Sequence, residues 1–139
     1  MSASPRSDAD RVNSLRLLGM GFFGAAAAML VVLIVLSGGW EPADDGLART
    51  GTIVAGLVGV VGLGGAVWWR NHAVAAPMKP DRLLTSWILA VAIAEVGMIL
   101  GFVFAFLSRS LTPFVVGAVV FAVSLLVLTA AISQVDLET

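Results

Sequence analysis

The chain has 139 residues, 59% of them hydrophobic and 12% charged, with a mean hydropathy of +1.01 and a formal net charge of −1. Soluble domains carry roughly 25% charged residues, so this composition excludes an ordinary water-soluble domain and points to a lipid-embedded chain. The absence of cysteine rules out disulfides, thiolate metal sites and cysteine nucleophiles, and the basic residues are too scattered for a nucleic-acid interface.

Residues 1–12, rich in Ser, Ala and Asp, read as a disordered tail. The first apolar run follows at about 15–37. It is preceded by Arg6, Arg11 and Arg16, but it is longer than a signal-peptide core of 7–15 residues, and its alanine cluster Ala25–Ala28 lies in the middle of the run. It is therefore expected to be a retained span. The second run, about 50–69, is dense in glycine. A loop with Pro77 and Pro80 separates it from the third run, about 83–107, for which Asp81 is the expected N-cap. Ser108–Leu111 forms a short connection, and Thr112-Pro113 reads as the cap and first residue of the last span, about 112–132. A span needs about 20 residues to cross a hydrocarbon core of roughly 30 Å.

These elements predict an all-α integral membrane bundle of four transmembrane helices over 13–133, arranged as two antiparallel hairpins and followed by a short tail, 134–139. Arg6, Arg11 and Arg16 precede the first span, and Arg70, Lys79 and Arg82 lie between the second and third. The other loops carry only Arg49 and Arg109. The positive-inside rule then places both termini in the cytoplasm of an inner membrane. Glu41, Asp44 and Asp45 of the first loop face outward. Trp40, Trp68, Trp69 and Trp87 read as an aromatic belt at the two interfaces. His72 falls in the second loop and reads as solvated.

Lipid supplies no hydrophobic drive between helices, so small residues mark the contact faces. Gly59 and Gly62 in the second span, Gly97 and Gly101 in the third and Gly117 in the fourth are the expected packing positions, with Gly21, Gly24, Ala25 and Ala28 in the first. Arg16-Leu-Leu also aligns with Arg82-Leu-Leu, which sets Met29 against Glu95.

Glu95 is the single ionisable side chain inside the spans. A carboxyl group at bilayer depth costs several kcal/mol unless it is neutralised, paired or wetted. It lies about 160° from Gly97 around the helix, on a face with Val91, Ala92, Met98, Ile99, Phe102 and Phe106. Counting equally far from the turn near residues 109–110 pairs it in depth with Ser124, whose hydroxyl could serve it as donor or acceptor. Glu95 and Ser124 are thus the candidate ion-binding residues.

The segment from Arg82 to Leu107, with Ala94-Glu95 in an alanine-rich setting followed by Gly97 and Gly101, resembles the second helix of the proteolipid, or c, subunit of rotary ATP synthases. That resemblance implies an ion-binding role for Glu95, with the glycine-rich second span as partner helix. Over its whole length the chain resembles small four-span bacterial membrane proteins that carry an Ala-Glu…Gly third helix. No nucleophile–base pair, metal-ligand cluster or phosphate loop is present in the sequence, so no catalytic residue, metal or cofactor is expected. The expected function is structural or accessory, exercised inside the bilayer, with lipid, a second copy or another membrane protein as partner. The alternative is proton or cation handling, as a proteolipid-like subunit or a small transporter, by Glu95.

Overall fold

The computed structural model describes residues 5–40 and 45–137, with backbone alone before Asp10 and at Arg11. The first four residues, Glu41, Asp44 and the last two residues lie outside the described residues, as do the side chains of Arg6 and Arg11. Four helices account for nearly all of it: α1 (Pro5–Ser37), α2 (Asp45–Ala75), α3 (Pro80–Ser108) and α4 (Thr112–Ile132). Each is long and apolar enough to cross a membrane, as the hydropathy of the four runs requires.

Three helices outrun their expected bounds. α1 begins at Pro5, inside the stretch read as a tail, because proline at the first helical position gives up an N–H that would be unpaired anyway. α2 continues through His72 to Ala75, so His72 stands in its last turn and the true connection to α3 is short. The cap of α3 is the extended backbone of Lys79 (φ −66°, ψ 137°), with Pro80 behind it and Asp81 in the first turn rather than at the cap. The cap of α4 is Leu111, one residue before the expected threonine.

The expected pair of hairpins does not form. α2, α3 and α4 pack on one another pairwise, whereas α1 touches α4 and, less, α3, with no contact to α2 among the described residues. The physical reason lies in where the small residues are used. The buried face of α2, which includes Gly51, Ala55, Gly59, Gly62 and Ala66, is taken up by α3 and α4, and its other face of Ile53, Leu57, Val60 and Val61 is exposed. α1 instead seats Leu15, Gly19 and Leu33 against the other side of the three-helix core. A Cβ at Gly19 would come 3.1 Å from Thr129 Oγ1 and 3.9 Å from Trp87, so α1 packs closely on both side chains at this glycine.

The α3–α4 turn is closed by Arg109 in the left-handed region (φ 52°), with the N–H groups of Arg109 and Ser110 both donating to the Ala105 carbonyl. This is the residue position that favours glycine at a helix C-terminus. Arg109→Gly is expected to raise stability by about 0.5–1 kcal/mol, and Arg109→Val to lower it by about 1–2 kcal/mol. Unfolding midpoints of the three proteins in the same detergent would check both signs.

At the opposite end the chain after α4 doubles back. The Met78 N–H donates to the Asp136 carbonyl at 2.9 Å, and Met78 bridges in parallel to Leu137. The C-terminal segment is thereby stitched to the α2–α3 connection.

Candidate functional site

Glycine contacts fix the helix register on which the site depends. A Cβ at Gly97 would lie 2.7 Å from the Gly59 backbone, one at Gly62 would lie 2.9 Å from Ala94 Cα, and one at Gly117 would lie 2.6 Å from the Gly97 carbonyl oxygen. One at Gly101 would meet the Pro113 carbonyl oxygen. These glycines therefore form the seam where three backbones approach one another. Gly21, Gly24 and Gly64 face open space instead.

Glu95 is half-buried and makes no hydrogen bond or ion pair among the described residues. Its position on α3 follows from its neighbours. At about 100° per residue it lies within roughly 20° of Phe102 and Phe106. The Phe106 ring meets Trp40, just beyond α1, edge to face at 6.1 Å, and Phe102 meets Phe114 of α4 at 6.0 Å. Glu95 thus stands on the flank of α3 that borders α1. The pairs Gly19–Trp87 and Trp40–Phe106 make α1 parallel to α3 and bring Met29 level with Glu95. Of the face expected around the acid, Val91 and Met98 are buried in the core, while Ile99 and Phe106 are exposed. The acid marks the border between the two.

Ser124 is not its partner. Gly101 sits over Pro113, Gly117 over Gly97 and Met98, and the Trp87 Nε1–H donates to the Leu128 carbonyl at 3.3 Å. This register puts Ser124 level with Val91, about one turn from Glu95. The hydroxyl is fully buried and donates to the Val120 carbonyl of its own helix at 2.9 Å. The count from the turn fails because α3 overshoots: the left-handed residue at 109 folds the chain back, and α4 begins beside Gly101 rather than beside Ser108. No group of three His, Cys, Asp or Glu side chains that could hold a metal ion occurs among the described residues.

Two tryptophans of the expected belt face the interior of the bundle rather than its surface. Trp87 is fully buried between α3 and α4, and Trp69 is buried with its Nε1–H unpaired. Trp68 alone of the three at this end is exposed, stacked on His72 with ring centroids 4.2 Å apart. Burial of Trp69 and Trp87 was not legible from their place near the helix ends; the signal was the small residues on their own helical faces, Ala66 and Ala73 beside Trp69 and Ala90 beside Trp87, each buried. Comparison with protein-family models, with curated proteins and with solved structures finds no match for this chain.

Proposed function

We propose that this chain is a structural or accessory protein of the inner membrane that associates laterally with a second copy or another membrane protein, through the α1–α3 flank that carries Glu95. The observation that carries the reading is a carboxyl group within a span, partly accessible at the helix surface and without any partner among the described residues. Such a group is costly facing hydrocarbon and inexpensive when a neighbour supplies a donor. Polar pairs between spans contribute about 0.6 kcal/mol on average, so the acid specifies orientation more than it supplies affinity. The role is not catalytic.

The orientation fits the same reading. Arg16, Arg70, Lys79 and Arg82 gather at the end where α2 hands over to α3, and this end is assigned to the cytoplasm. Proton handling is the second reading, favoured by the same accessible carboxyl group. A cation site is a weaker one, because the Ser124 hydroxyl is a turn away and already engaged.

Labelling with a hydrophobic carbodiimide, which attacks protonated carboxyl groups reachable from lipid, tests the proposal. Glu95 is expected to label at least tenfold more slowly in native membranes than in the dispersed monomer, with Glu95→Gln as the unlabelled control. Equal rates would mean that nothing covers the acid. Rapid labelling in membranes that fades on alkalinisation would favour proton handling.

A further inference from the structure

We propose that the α2–α3 corner is a binding site for one anionic glycerophospholipid, its phosphate held by Lys79 and Arg82 and an acyl chain lying along the outer face of α3. Two hollows meet there. A cavity of about 220 Å³ is lined by His72, Pro77, Met78, Lys79 and Arg82. A groove of about 500 Å³ continues from Met78 and Arg82 past Thr85 and Ser86 to Leu89. Arg82 stands where the two join.

The cavity has the chemistry of an anion site. Lys79 and Arg82 are exposed, and neither is engaged in an ion pair or a side-chain hydrogen bond among the described residues. A guanidinium can grip a phosphate with two parallel N–H donors, while the lysine adds a point charge. The first turn of α3 has no side-chain cap, so the positive end of its dipole adds to the same field. The His72 ring lines the cavity with its Nδ1 3.2 Å from the Trp68 carbonyl oxygen, and it is not counted among the donors to the anion. Asp81 lies on the rim of the groove and opposes the anion, but two cations outnumber it.

The groove has the chemistry of an acyl site. Its hydroxyls are spent internally: Thr85 Oγ1 donates to the Asp81 carbonyl at 3.0 Å, and Ser86 Oγ donates to the Leu83 carbonyl at 3.2 Å. What they present outward is aliphatic, ending in the exposed Leu89. Charge at the headgroup level continuous with an apolar channel running to bilayer depth fits a phospholipid better than a free anion. Basic pockets at the cytoplasmic ends of spans are the recurrent setting for such headgroups.

The test is native mass spectrometry of the full-length protein in detergent, titrated with phosphatidylglycerol, phosphatidylcholine or inorganic phosphate. Phosphatidylglycerol is expected to bind at least tenfold more tightly than phosphatidylcholine. Lys79→Gln with Arg82→Gln should lose roughly thirtyfold of that affinity, from about one charge-equivalent of surface attraction per residue. Arg49→Gln with Arg109→Gln, at the other end of the bundle, should lose none. Leu89→Trp, which blocks the groove and leaves every charge in place, should weaken the lipid as well, and it carries the test should the double variant not fold. Equal binding of the two lipids would overturn the proposal, as would equal loss in both double variants. Competition by millimolar phosphate against the lipid, with Leu89→Trp silent, would mean a free-anion site and would equally overturn it.

Discussion

Gly97→Ala is expected to lower the stability of the bundle by about 1–3 kcal/mol, the range for forcing a methyl group into a filled contact. The added Cβ would lie 2.7 Å from the Gly59 backbone and 3.1 Å from the Ala55 carbonyl oxygen. Both obstacles are main chain, which cannot rotate away, so α2 and α3 must separate. Gly97 is also enclosed from α4, since the Gly117 position meets the Gly97 carbonyl, and separation on one side disturbs the other. Gly21→Ala, Gly24→Ala and Gly64→Ala are the controls: each Cβ would enter open space, and alanine is the better helix former. These three should be neutral or slightly stabilising. Unfolding of all four variants by titrated denaturing detergent would check the contrast, and a Gly97→Ala protein as stable as Gly21→Ala would refute the register of α2 on α3.

The second large effect is expected at Trp87, where Trp87→Ala should cost about 3–5 kcal/mol. The ring is fully buried, and its N–H reaches a carbonyl that α4 already uses within its own ladder. Removing it empties the region where α3, α4 and the Gly19 region of α1 converge. Trp87→Phe retains most of the volume and should lose only the hydrogen bond, about 0.5–1.5 kcal/mol. Thermal unfolding with Trp68→Ala as comparison would separate a core role from an interfacial one, since Trp68 is exposed. Equal shifts for Trp68→Ala and Trp87→Ala would sink the core assignment.

The four helices could be read from hydropathy, because a span of about 20 apolar residues has few other uses. Residue type alone could not say which glycines meet a neighbour. Gly21 and Gly24 have the same three- and four-residue spacing as Gly97 and Gly101, yet the first pair faces open space and the second faces backbone. The difference depends on which helix lies opposite, and that is a property of the whole assembly. Glu95 was legible as the unusual residue, but its companion was not. The pairing with Ser124 assumed a symmetric turn, and the left-handed residue at 109 shifts α4 by about a turn. Left-handed backbone at an arginine has no signature in composition, since glycine or asparagine is the usual occupant. The anion-binding corner escaped the sequence because it joins a histidine assigned to a loop with a lysine and an arginine across a proline-rich bend.

The arrangement of α1 bears on how the protein is made. Of the four helices α1 is made before the other three, yet among the described residues it rests on α3 and α4 and has no contact with α2, its neighbour in the chain. Its seat does not exist until α4 has entered the membrane, roughly 95 residues of translation after α1 is complete. At 5–20 residues per second that is an interval of about 5–20 s. During this interval α1 lacks its main seat on α4, and Gly21 and Gly24 stay uncovered, as they do in the finished bundle. Assembly of the four helices is therefore completed by the one made before the other three, and the time it waits is set by the ribosome rather than by packing.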